Sequence, residues 1–191
     1  MYEYDVSRRR PSERGRTPAP RRRWTVRGLA ATALAAACLL ALTACRKAEA
    51  DSGLSNAYSS RDALIEAVLD GLQRKDRDFL DSLRVTRQEH RDLLWDELPE
   101  RRSFSFQYAW DLNQRHSEKG LTQALGSYGG LDLEPVSVEY GEPDEEYPDF
   151  TLHLGTVITV RRKSDGKTGR LRFLDVLLEK DGAWKLLNYR G

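Results

Sequence analysis

Around Gly129-Gly130, two thirds of the way along this 191-residue chain, the spacing of apolar side chains changes from a helical period to a strand period. Before that point Leu64, Ile65, Val68, Leu69 and Leu72 form one continuous helical face behind a capping serine, Ser59 or Ser60. The stretch "RKDRDFLDSL" turns and starts a second short helix with Phe79, Leu80 and Leu83. Thr86 and Glu89 have the spacing of a capping box, which opens a third helix with His90, Leu93, Leu94 and Glu97 on one side. Pro99 stops it. A fourth helical stretch covers 104–113 and resumes over 121–128. Beyond Gly130, Val136, Val138 and Tyr140 alternate with polar residues, and the loop "GEPDEEYPD" follows. A long strand over 150–162, the hairpin "SDGK", a strand over 169–179, the hairpin "KDGA" and a last strand over 184–189 complete the chain. Helices first and an antiparallel meander last predict an α+β fold.

The N-terminus predicts where such a fold is delivered. Residues 1–44 carry nine Lys/Arg against three Asp/Glu, a net of +6, whereas residues 45–191 carry 22 against 27, a net of −5. Arg21, Arg22, Arg23 and Arg27 lead into Leu29–Ala44, a run made only of Leu, Ala, Thr and one Cys. A basic region, a short apolar region and small residues at its end have the pattern of a bacterial export signal. The run is shorter than the roughly 20 residues a spanning helix needs. Its end, Leu42-Thr43-Ala44-Cys45, resembles the bacterial lipobox. That resemblance implies cleavage before Cys45 and acylation of its sulfur with diacylglycerol chains of the palmitate type. Cys38 is the competing position, but cleavage there leaves Leu39-Leu40-Ala41-Leu42 on the mature end. An ordinary cysteine in an uncleaved signal anchor is the other alternative. "RRRWTV" is similar to a twin-arginine signal without the Phe-Leu pair, so the export route stays open. So does sorting between the outer and the cytoplasmic membrane.

The chain therefore divides into a signal peptide (1–44), a flexible tether (45–57, "CRKAEADSGLSNA") and one α+β domain (58–191). The expected location is the cell envelope, lipid-anchored, with the domain outside the cytoplasm. The mature chain keeps no free thiol, so its core must be built without disulfides.

"VLDGLQRKDRDFLDSL" resembles the first two helices of the nuclear transport factor 2-like superfamily, and "LDVLLEKDGAWKLLNY" resembles its closing hairpin. The resemblance implies a curled antiparallel sheet around the helices, a cone with a pocket at its mouth. It also implies homodimerisation through the sheet. Members include small isomerases and dehydratases and many non-enzymatic binding domains, so fold alone leaves function open.

Two-residue turns at Asp165-Gly166 and Asp181-Gly182 would align the rows Ile158–Phe173–Arg190, Thr156–Asp175–Asn188 and Leu154–Leu177–Leu186. Asp175 interrupts an apolar run. A carboxylate on an apolar concave face could serve as general acid or base, with Thr156 and Asn188 beside it in a candidate pocket. A structural hydrogen-bonded row accounts for the same residues, and a bulged turn would dissolve it. The opposite face, with Gly155, Val157, Leu174, Val176, Leu178, Leu187 and Tyr189, is apolar as well. It calls for a second partner: another copy of the chain or another envelope protein.

His90, His116 and His153 lack the spacing of a metal site, and the acidic loop lacks a calcium-loop pattern. Tyr108 and Leu112 read as core, and Trp110 as a residue reaching a pocket rim. No cofactor, metal or catalytic motif stands out, and an acidic mature domain does not suit nucleic acid. The reading that follows is a non-catalytic binding or protein-interaction module, with a small isomerase- or hydrolase-like enzyme using Asp175 as the alternative.

Overall fold

Ser60 starts the first helix, α1 (Arg61–Arg74): its side chain accepts the N–H of Ala63, and Asp62 occupies the first turn. Lys75 ends it in the left-handed region, at φ 55°. The structure, a computed structural model, describes residues 52–191. The signal segment, Cys38, Cys45 and most of the tether lie outside the described residues. Asp76 caps α2 (Arg77–Ser82) through the N–H of Phe79. At α3 (Arg87–Glu89) both halves of the capping box between Thr86 and Glu89 are formed. The chain then widens into a π-helical turn, His90–Leu94, followed by a 3-10 turn, Pro99–Arg102.

The fourth helix, α4 (Phe106–Tyr128), is continuous, where the sequence predicted two pieces. The polar middle "QRHSEKG" carries no apolar stripe because its inward side chains are small. A Cβ on Gly120 would lie 2.5 Å from the carbonyl oxygen of Arg190, and the Ser117 hydroxyl accepts the N–H of Tyr189 at 3.1 Å. The helix is held there by the backbone of the last strand, so burial demands small residues rather than apolar ones.

The second half forms two antiparallel sheets. One orders β1 (Leu133–Tyr140), β4 (Thr156–Arg162) and β5 (Thr168–Leu171) as β1-β4-β5. The other orders β2 (Glu145–Glu146), β3 (Thr151–Leu154), β6 (Leu174–Lys180) and β7 (Ala183–Tyr189) as β2-β3-β6-β7. Each of the two long predicted strands is thus broken and shared between sheets. The first breaks at Gly155, whose φ of +65° favours glycine and whose backbone is packed against Gly141. The second breaks between Leu171 and Leu174.

Registers follow the turns. Asp181 and Gly182 both have positive φ, as a two-residue type I′ turn requires, and Leu177 faces Leu186 as predicted. The other hairpin departs from expectation. Asp165 accepts the Lys167 N–H and a two-pronged contact from Arg162, which fixes a four-residue loop and sets Ile158 opposite Leu171 instead of Phe173. A bulge at Asp175 then places Val176 opposite Asn188. The rows Ile158–Phe173–Arg190, Thr156–Asp175–Asn188 and Leu154–Leu177–Leu186 do not form, and the observed row is His153–Leu177–Leu186.

Two cores result. The larger lies between α1, α2, α4 and the sheets and includes Leu64, Leu80, Leu121, Ile158 and Leu177. The smaller joins Leu54, Val85, Leu94, Phe150, Leu178 and Leu187. The apolar residues that called for a partner are mostly covered by the chain itself: Leu174, Leu178 and Tyr189 are fully buried, and Val157 and Leu187 nearly so. The bulge puts Leu174 and Leu177 in the same core, which undoes the simple alternation. The smaller core is closed by a strap, residues 54–58. Leu54 packs into it, and Tyr58 exchanges backbone hydrogen bonds with Trp184. Below the strap Lys185, fully buried, donates to both Glu89 oxygens at 3.0 and 2.8 Å. Glu89 also accepts the Ser55 N–H, the Ser55 hydroxyl and the Thr86 N–H. Burial pushes the Glu89 carboxyl up, but these hydrogen bonds outweigh it and hold the group below the usual range.

Candidate functional site

Asp175 sits in the β6 bulge at the surface. It accepts from the Arg190 guanidinium at 2.8 and 2.9 Å and from Asn188 Nδ2 at 3.3 Å. Thr156 is buried on β4 opposite Tyr140, and its hydroxyl meets no partner among the described residues. Of the three candidate residues the fold brings Asp175 and Asn188 together and leaves Thr156 on the other sheet.

Asn188 also lines a cleft of about 330 Å³ that the sequence reading did not assemble. Its floor is His90, at the start of the π turn. One wall is the outer face of α4, where Tyr108, Leu112 and His116 recur every fourth residue. The facing wall is sheet: Leu152 and Leu154 of β3, Val176 of β6 and Leu187 of β7. Phe104 and Tyr108, each about half exposed, stack on one another at the mouth with centroids 5.2 Å apart. Trp110, expected at a rim, is buried, and Tyr108, expected in the core, is exposed. The exchange follows from helix phase: the inward stripe runs Trp110, Ser117, Leu121, Ala124, and Tyr108 lies off it.

His90 is 5% exposed, and its ring lies 5.6–6.3 Å from the rings of Trp110, Phe106 and Trp95. Desolvation lowers its pKa to about 4, so the imidazole is neutral at neutral pH. Its Nδ1 and the Oδ1 of Asn188 are buried and have no hydrogen-bond partner among the described residues. Glu100 and Glu145 also border the cleft. Burial pushes the Tyr147 hydroxyl up, aided by its 2.8 Å hydrogen bond to Glu145 and by the fields of Glu145 and Glu100. Both carboxylates therefore act on one edge. Apolar walls and charge at one edge are the parts of a ligand site.

A second cluster gathers around His153, which is buried. Its ring is sandwiched between Tyr140 and Trp184, each with centroids 4.8 Å away. Nε2 is 3.3 Å from Glu179, and Nδ1 is 3.0 Å from Asp144 without the alignment of a hydrogen bond. The cluster pins the acidic loop to β3 and β6. Among the described residues no group of three or more His, Cys, Asp or Glu is disposed to hold a metal, and no helix is long and apolar enough to cross a membrane.

The sequence matches no family model, and comparison with curated proteins and with solved structures gave no significant match to either.

Proposed function

We propose that this chain is a membrane-anchored, extracytoplasmic lipoprotein of a bacterial cell envelope, acting as a non-catalytic binding module. The observation that carries the binding half is the His90 cleft, a groove of about 330 Å³ with apolar walls and two glutamates at its border. The anchoring half rests on the lipobox ending at Cys45. The cone of the nuclear transport factor 2-like superfamily is our reading of the finer architecture, supported by the order of elements and by strands that change sheet at Gly155. The enzyme alternative draws less support, because the Asp175 carboxylate is engaged by Arg190 and Asn188.

Two experiments test the reading. In a bacterial host, wild type should incorporate a palmitate analogue and partition with membranes, and Cys45→Ala should lose the label. Label retained by Cys45→Ala, or absent from wild type, overturns the anchor. For the cleft, calorimetric titration of the folded domain with para-ethylphenol should show saturable binding that Leu112→Trp, which fills the groove, abolishes. Equal binding by both proteins would place the site elsewhere.

A further inference from the structure

The cleft's chemistry goes beyond the statement that it binds something. Its lining is asymmetric in charge: Glu100 and Glu145 border it, and among the described lining residues there is no lysine or arginine. The floor adds no positive charge, because His90 is buried among rings and neutral. At the mouth, Phe104 and Tyr108 offer aromatic faces, which attract cations through the ring quadrupole. The volume lies at the small end of ligand clefts, roughly 300–1,000 Å³. A folded partner or a long acyl chain does not fit it.

Each observation removes a class of occupant. Carboxylates and phosphates meet two like charges and no counter-charge. A purely apolar body leaves the two edge carboxylates and the aromatic faces at the mouth without a cationic partner. What satisfies all of them is a small ring- or short-chain body with an ammonium at one end. We infer that the cleft is a receptor site for small amphipathic amines, with the ammonium at the Glu100–Glu145 edge and the body between Tyr108 and the sheet wall. This inference rests on the cleft being the binding site proposed above.

The test uses isosteres on the folded domain at low ionic strength and pH 8, where ordinary imidazoles are neutral. The probes are tyramine, phenethylamine, para-ethylphenol and para-hydroxyphenylpropionate. Tyramine and phenethylamine should each bind roughly 10-fold or more tighter than para-ethylphenol and the propionate. Glu100→Gln and Glu145→Gln should each weaken tyramine roughly 3- to 10-fold and leave para-ethylphenol unchanged, which separates loss of charge from loss of fold. Equal or tighter binding of the propionate, or tyramine affinity indifferent to both Glu variants, overturns the inference. Para-ethylphenol matching tyramine overturns it too, yet keeps the cleft as a site. If no probe binds, both the inference and the cleft reading fall.

Discussion

Lys185 and Glu89 lie 96 positions apart, and their ion pair is fully hydrogen-bonded and buried. Removing one partner strands a charge, so Lys185→Met or Glu89→Leu alone should cost about 3–5 kcal/mol in urea unfolding. The double variant should cost less than the sum of the two, though Ser55 and Thr86 still lose their acceptor; additive losses would show that the pair is not coupled. His90 makes a separate, pH-dependent contribution. Its folded pKa, about 4, lies below the ordinary 6.5, so between those values the unfolded chain binds more protons. Stability is therefore full above pH 6.5 and falls, by up to about 3 kcal/mol, as the pH drops toward 4. Glu89 has the same sign in a lower window: its carboxyl lies below the usual 4.5, so its contribution is lost only as the pH falls through that lowered value. Unfolding midpoints at pH 7, 5.5 and 4.5 should thus decline for wild type and stay nearly flat for His90→Phe. An unchanged slope in the variant would move the effect to another group.

At the scale of elements, close approach of backbones matters more than apolar contact. Gly120→Ala should destabilise by about 1–3 kcal/mol, because the new methyl meets the Arg190 carbonyl. Gly126, with open space around the same helix, supplies the control: Gly126→Ala should be neutral or mildly stabilising by thermal melt. What the sequence made legible was local. The Ser60 cap, the Thr86–Glu89 box and the Asp181-Gly182 turn are set by neighbours within four residues, and each is present. What it hid depends on distant chain. Nothing near Gly120 signals that the last strand crosses it, so the helix read as two. Asp165 looked like half of a two-residue turn until its bonds to Arg162 and Lys167 lengthened the loop, and that shift took Thr156 away from Asp175. The cleft was half legible. The spacing of Tyr108, Leu112 and His116 was there to be read, but His90 and Asn188 join them only through the tertiary fold.

For the whole molecule, the strap closes the smaller core and supplies Glu89 with two of its hydrogen bonds. A domain beginning at Tyr58 should therefore lose roughly 3–6 kcal/mol against one beginning at Asp51, and it should bind a hydrophobic dye. Equal melting temperatures would show the strap to be dispensable. Leu174 and Leu178 on β6 and Leu187 and Tyr189 on β7, apolar residues of the second sheet, are buried by the chain itself.

Leu54 shares its core with Leu98, Leu152 and Leu187, and those three also form the cleft wall. The strap that opens the fold and the proposed ligand cleft are thus two sides of one layer of side chains. With Cys45 lipidated, nine residues of chain allow Leu54 to stray at most about 30 Å from the bilayer surface. On the proposed anchoring, the domain then stays within a thin shell of fluid above the membrane. On the proposed reading, a bilayer that takes up amphipathic amines would serve as the reservoir from which the cleft is filled.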